Sequence, residues 1–232
     1  MPADDAREPI SRTYRSAMAA CAPWSAAWGR MEVEGLDALP RSGPVLLAGN
    51  HDSEMDPVAI GVAARKHRQI RALAKASLWD VPGLSPILNG MGQIPILRGA
   101  GDTDALARAI EALREGVCIG VFPEGTRTLG RTMRARTGIS RLAEAVPGTR
   151  IVCVAVSGTT GYAKFPKRPR VRVRFFAPAG GDYRIGEDHG EFAGRLLDEI
   201  RAGTPPVAAG RNAAAVEKLR RKKGVKPKEV AS

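Results

Sequence analysis

The densest run of proton-handling side chains in this 232-residue chain is Asn50-His51-Asp52-Ser53-Glu54-Met55-Asp56-Pro57. It directly follows the apolar run 44–49 (PVLLAG), and α/β proteins place ligand sites just past the carboxyl ends of such strands. On a continuous helix, residues five apart would point about 140° away from each other. His51 and Asp56 therefore meet only if the chain turns between them, and Pro57, suited to the first turn of a helix, marks that boundary. A carboxylate on one imidazole nitrogen fixes the ring's tautomer and leaves the other nitrogen to act as a general base. Two quieter readings stand beside this one: an ordinary loop histidine, and Asp56 as a helix cap. A metal site built from His51, Asp52, Glu54 and Asp56 is disfavoured, because the carboxylates are adjacent and no second histidine accompanies them. No metal is expected.

A second cluster, Phe122-Pro123-Glu124-Gly125-Thr126-Arg127-Thr128, also follows an apolar run. Gly125 allows close approach of the backbone to a ligand, and Arg127 can fork onto a phosphate. Glu124 would hold that guanidinium or bind a ligand hydroxyl. The plainer alternative is a surface turn carrying a Glu–Arg pair. Arg98 ends the run 94–97 (IPIL), and Lys75 ends another. A His–Asp pair with basic residues at several strand ends describes a phosphate pocket beside a general base.

Apolar runs predict strands at 44–49, 70–73, 93–97, 117–122, 151–156 and 171–176. Between them, helical patterns cover 58–66, with Asp56 at the cap, and 104–115, capped by Asp102 or Thr103 and closed by Gly116. Two more helices are predicted at 138–145 and 192–200. This alternation predicts an α/β fold: one layered domain with a central mixed, largely parallel sheet flanked by helices. Tyr14, Met18, Cys21, Trp24 and Trp28 form a helical stripe ahead of it, which either docks on the domain or serves as an apolar foot at a lipid surface. The resulting division is an amphipathic helical segment at 1–30, a domain at 31–204, and a flexible basic tail at 205–232. There is no G-x-x-x-x-G-K-[ST], and Gly99-Ala100-Gly101 lacks the third glycine of a dinucleotide fingerprint.

Lys and Arg number 36 against 24 Asp and Glu, a net charge of +12. Half of that excess lies in residues 211–232, which hold eight basic and two acidic groups. The remainder clusters at Arg65-Lys66-His67-Arg68, at 127–141 and at 164–174. Such blocks favour polyanions, anionic lipid included. A nucleic-acid partner is disfavoured, since aromatics are only 5% of the chain and do not interleave with the basic runs. At 44% apolar the chain can pack a core. Its apolar runs stop well short of the roughly 20 residues of a bilayer-spanning helix. The acidic N-terminus does not look like a signal peptide, and three scattered cysteines read as buried thiols. A cytoplasmic location is expected.

Four blocks in order, NHDSEMDP (50–57), GQIPILRG (92–99), FPEGTRT (122–128) and IVCVAVSGT (151–159), resemble those of the glycerolipid acyltransferases. The resemblance spans roughly residues 30–180 and is closest to the 1-acyl-sn-glycerol-3-phosphate acyltransferase type. It implies His51 as general base with Asp56 as its charge partner. Arg98, Glu124, Gly125, Thr126 and Arg127 then form the acceptor-phosphate site, with Lys75 beside them. The sequence departs from the pattern at Asp52, where Arg or Gln is usual, at Leu97, where an acidic residue is common, and at Cys153, where Pro is typical. The implied reaction is direct acyl transfer from a thioester, acyl-CoA or acyl-[acyl carrier protein], to the free hydroxyl of lysophosphatidic acid, giving phosphatidic acid. No bound cofactor is implied. The rivals are the same chemistry on another lyso-lipid, glycerol 3-phosphate or a lipid alcohol, and a non-catalytic anion-binding protein. The enzyme would act peripherally at the inner face of the cell membrane, on an anionic surface.

Overall fold

The computed structural model describes residues 8–23, 25, 28–97, 102–163, 168–208 and 216–218. Seven strands form one sheet in the order β1-β7-β6-β2-β5-β3-β4. They are β1 (Glu32–Glu34), β2 (Val45–Gly49), β3 (Ile70–Lys75), β4 (Ile94–Ile96), β5 (Cys118–Val121), β6 (Arg150–Ser157) and β7 (Arg172–Phe176). All neighbours run parallel except β6 and β7. The helices are α1 (Arg12–Pro23), α2 (Asp56–Ala64), α3 (Leu84–Gly90), α4 (Thr103–Arg114), α5 (Gly138–Ala145) and α6 (His189–Ala202).

The central strands are apolar throughout because both of their faces are covered. Leu46, Ala48, Ile119, Ile151 and Cys153 point into a core closed by Ala109 and Leu113 of α4, Leu142 of α5 and Leu196 of α6. Their alternate neighbours Val45, Leu47, Cys118, Val152 and Val154 point the other way, toward Ala59, Ile60 and Ala64 of α2. Each Leu, Ile or Val so buried contributes roughly 1.5–3 kcal/mol. Asp102 caps α4, its side chain accepting from the Ala105 N–H at 3.0 Å.

Along α1, Tyr14, Met18 and Ala22 are buried against Val62 and Met91. The close crossing depends on Gly61, where a Cβ would stand 2.6 Å from Met18 Sδ. The docked reading of this stripe therefore holds for Tyr14 and Met18; Cys21 and Trp28 are half-buried, and Trp24 lies outside the described residues. Strand β1 carried no signal in the sequence, because its three residues are all exposed and only backbone pairing with β7 defines it.

His67 and Arg68 of the basic cluster at 65–68 bond to backbone carbonyls of the fold. Arg68 is fully buried and bonds backbone carbonyls, while His67 Nε2 lies 2.6 Å from the Leu39 carbonyl oxygen. In the 168–174 stretch, Arg170 and Arg172 reach Glu32 at 3.6 and 2.8 Å, and Arg174 covers Phe176. Among the described residues, no helix is long and apolar enough to cross a membrane.

Candidate active site

Strand β2 ends by handing its last rung to a side chain. The Asn50 amide copies a backbone pair: Oδ1 accepts from the Val156 N–H at 2.7 Å, and Nδ2 donates to the Val156 carbonyl at 2.8 Å. The chain is thereby free to turn through residues 51–55. Asp56, the first residue of α2, points its carboxylate back into that turn. Oδ2 accepts from the Asp52 and Ser53 N–H groups, both at 2.7 Å, and lies 3.1 Å from His51 Nδ1. Oδ1 accepts from the Thr159 hydroxyl at 2.5 Å. Asp56 is not the helix cap: Met55 holds that position without a side-chain bond, because the carboxylate is engaged by the loop and the imidazole.

A carboxylate at Nδ1 places the proton of the neutral ring there and leaves Nε2 as the basic nitrogen. The ring plane is fixed by Phe122, stacked at 4.3 Å between centroids and 17° between planes. Beneath the ring lies a buried charged layer. Glu124, only 1% exposed, accepts from the His51 backbone N–H through Oε2 at 2.7 Å. Its Oε1 accepts from Arg201 Nε and Nη2 at 2.8 and 2.5 Å. Arg201 also donates to both oxygens of Asp52, at 2.8 and 3.1 Å, and Asp52 accepts from the Thr128 hydroxyl. Burial holds the Glu124 carboxyl above its ordinary value although Arg201 opposes the shift. For Arg201, burial works against the charge, but the bonds and charges of Asp52 and Glu124 outweigh it and raise its pKa.

His51 also lines a cavity of about 900 Å³. The space exists because the sheet face below it carries Gly49, Ala72, Ala74 and Gly120 where larger residues would fill it. Its walls are apolar, from Met18 of α1, Val58 and Ile60 of α2, and Leu84 and Leu88 of α3. Its polar lining brings Lys75, Glu54, Thr126, Arg127 and Arg131 together with His51. Arg127 Nη1 contacts Glu54 Oε1 at 2.8 Å, and the buried Nε of Arg131 has no hydrogen-bond partner.

Of the residues chosen from the sequence, His51, Lys75, Thr126 and Arg127 face this cavity, and Asp56 stands behind the imidazole. Glu124 does not line it; its cation is Arg201, and the carboxylate on Arg127 is Glu54. Gly125 occupies an exposed turn at φ +69°, its N–H bonded to the Phe122 carbonyl at 2.8 Å. Asp52 belongs to the buried layer and does not line this cavity. Arg98 lies outside the described residues. Sequence reasoning missed Arg131, Thr159 and Arg201 as site residues. Arg131 had one usable signal, its place four residues after Arg127.

The described residues hold no group of three His, Cys, Asp or Glu side chains that would bind a metal. Two buried thiols are held in the protonated form: burial pushes Cys118 and Cys153 up to about 12. The arrangement can deprotonate a hydroxyl at Nε2 while cations hold a neighbouring anionic group and the apolar walls take a hydrocarbon chain.

A 1-acyl-sn-glycerol-3-phosphate acyltransferase of Borreliella burgdorferi is 35% identical over 133 residues, 56% of this chain and 52% of that protein. The chloroplastic 1-acyl-sn-glycerol-3-phosphate acyltransferase LPAT1 of Arabidopsis thaliana is 28% identical over 182 residues, 75% of this chain and 48% of the relative. The chain thus spans about half the length of the curated relatives it matches. The crystal structure of the 1-acyl-sn-glycerophosphate acyltransferase PlsC from Thermotoga maritima has the same fold, with a TM-score of 0.65 at 20% identity over 89% of this chain and 79% of that one. The acyltransferase family model matches residues 30–157, which include the His51–Asp56 pair and the turn after β5, and by that match over more than half its length the chain belongs to the acyltransferase family.

Proposed function

We propose that this protein transfers a fatty acyl group from a thioester donor, acyl-CoA or acyl-[acyl carrier protein], to the free hydroxyl of 1-acyl-sn-glycerol 3-phosphate. The product is phosphatidic acid, an intermediate of phospholipid biosynthesis. The observation that carries this reading is the His51–Asp56 pair, 3.1 Å apart, on the wall of an apolar cavity whose polar lining holds Lys75, Arg127 and Arg131. The names of the relatives point to the same acceptor.

In the reaction, Nε2 of His51 takes the hydroxyl proton as the oxygen bonds to the thioester carbonyl carbon. The tetrahedral adduct collapses, the carbon–sulfur bond breaks, and the thiolate leaves with the proton from the imidazolium. Asp56 stabilises the imidazolium between those steps. The cations hold the acceptor phosphate so that its hydroxyl meets the base, and positioning of this kind can remove up to roughly 7–11 kcal/mol of barrier. Glu124 and Gly125 shape the loop beneath, and Arg98 completes the second block of the phosphate site. The basic tail at 205–232 and the face bearing Arg168 hold the enzyme peripherally against anionic lipid on the cytoplasmic side of the membrane.

The test is incubation with labelled acyl-CoA or acyl carrier protein and a panel of lysophosphatidic acid, other lysophospholipids and glycerol 3-phosphate, with the product identified by mass. Phosphatidic acid as the main product supports the reading. A product from another acceptor alone changes the acceptor, and no acyl product from any combination overturns it.

A further inference from the structure

The cavity cations account for substrate binding, but nothing in that account uses Arg201. It stands on α6 and reaches under the loop that carries the base. Its fork makes four bonds to two carboxylates, and Nη1 also donates to the Thr204 carbonyl at 2.9 Å. Each carboxylate-bearing residue is one bond from the catalytic pair. Glu124 accepts from the His51 N–H at 2.7 Å, and the Asp52 N–H donates to Asp56 Oδ2 at 2.7 Å. The His51 carbonyl is held as well, accepting from the N–H of Thr128 at 2.9 Å, and the Thr128 hydroxyl bonds Asp52. Both backbone polar groups of His51 are thus fixed by residues that lie within one bond of a carboxylate ordered by Arg201.

We infer that Arg201 is a positioning residue: it fixes the His51 backbone through Glu124 and Asp52, so that the imidazole meets Asp56 at Nδ1 and presents Nε2 to the acceptor hydroxyl. The inference rests on the acyl-transfer reading above for its kinetic consequence, and on geometry alone for its structural one. A buried ion triad of this kind is often no more stable than an apolar trio of the same volume. What it adds here is direction, since a planar guanidinium can hold two carboxylates at fixed angles and an ammonium cannot.

The deciding variant is therefore Arg201→Lys, which keeps the charge and removes the fork. With a thioester donor and lysophosphatidic acid, kcat falls about tenfold or more. The acceptor KM stays within about twofold, because no cavity cation has changed. Combined with Glu124→Gln, the loss is no greater than that of the worse single variant, since both break one link. A lowered thermal midpoint with wild-type kcat overturns the inference, and so does full additivity in the double variant. A second readout needs no turnover: nitrogen-15 spectra of the three histidine rings, with His51 identified by His51→Gln. The wild-type ring holds its proton on Nδ1, and Arg201→Lys gives a tautomer-averaged signal; an unchanged signal overturns the positioning role. A wild-type protein without transferase activity but with this tautomer shift overturns the acyl-transfer reading and leaves Arg201 in its role. Should Arg201→Lys fail to fold, Asp52→Asn with Arg201→Met removes one charge of each sign and takes the same measurements, with the same outcomes.

Discussion

Two arginines, one fully buried and one mostly so, lie at opposite ends of the sheet and differ in their main partners. Arg68 sits where β2, β3 and β5 begin. Its guanidinium donates to the carbonyls of Pro40, Ser42, Gly43 and Gly116, with Glu8 Oε2 3.2 Å from Nε. Arg201 sits where the strands end, and its main partners are the carboxylates of Asp52 and Glu124. Both guanidinium groups are saturated, each making five bonds, so bond number does not separate the two. The difference lies one step further out. The carbonyls on Arg68 close loops that lead only into strands, whereas the free oxygen of Glu124 goes to the backbone of His51.

The comparison is sharpest if the two ends fail differently. The largest expected effect is at the strand ends nearest the cavity: His51→Ala lowers kcat by about 10²–10⁴-fold, the range lost with a general base. Its thermal midpoint stays near that of the parent, because the ring adds little to either apolar core. Turnover measured beside a melting curve decides this, and near-normal activity would remove His51 from the mechanism. At the other end, Arg68→Met costs about 3–5 kcal/mol of stability, as when one partner of a buried charged pair is lost. Its kcat per folded molecule is unchanged. Denaturant melts with parallel assays check it, and a fall in kcat without loss of stability would erase the contrast between the two ends.

Within the cavity, Arg127→Ala and Arg131→Ala each raise the acceptor KM about tenfold or more, the equivalent of one charged hydrogen bond, with little change in kcat. Of the two, Arg131→Ala has the larger effect. Arg127 already contacts Glu54, while Arg131 Nε has no protein partner to give up. Initial rates over a range of lysophosphatidic acid concentrations separate the two variants, and unchanged KM values would remove these cations from the acceptor site.

The same contrast explains what could be read from the sequence. Strands β2, β5 and β6 announce themselves as unbroken apolar runs because helices cover both faces of the sheet. Asp56 could be paired with His51 because the two are five residues apart and Pro57 marks the intervening turn. Glu124 and Asp52 could be singled out but not placed. Their cation comes from α6, 77 and 149 residues further along the chain, and Arg201 reads locally as one more basic residue near a helix end. Arg68 was misread for the same reason: within Arg65-Lys66-His67-Arg68 nothing distinguishes the side chain that turns inward. Local periodicity carries burial of apolar groups, whereas the pairing of a buried charge is decided by whichever distant element packs over it.

A third arginine tests whether that lesson scales down to the surface. Arg195 on α6 meets Glu187 with Nε–Oε1 at 2.8 Å and Nη2–Oε2 at 3.3 Å, and its guanidinium also lies over Phe192. The bond from Arg195 is the main cause holding the Glu187 carboxyl below its ordinary value; burial opposes it, and the Arg184 N–H assists. With the folded-state value depressed, the unfolded chain binds more protons through the acidic range. The pair therefore stabilises the fold above the ordinary glutamate range, and that stabilisation disappears as the pH falls through the depressed folded value. Both side chains remain partly exposed, at 23% and 16%, so solvent screening keeps the contribution below about 1 kcal/mol. Glu187→Gln should lower stability by no more than that at pH 7, without touching kcat, and the gap from the parent should close under acid conditions. Equal melts of parent and variant at low pH fit an electrostatic pair remote from the loop that carries His51. A gap that persists there would assign Glu187 a packing role that protonation does not release, and would place this surface arginine nearer to Arg68 in kind.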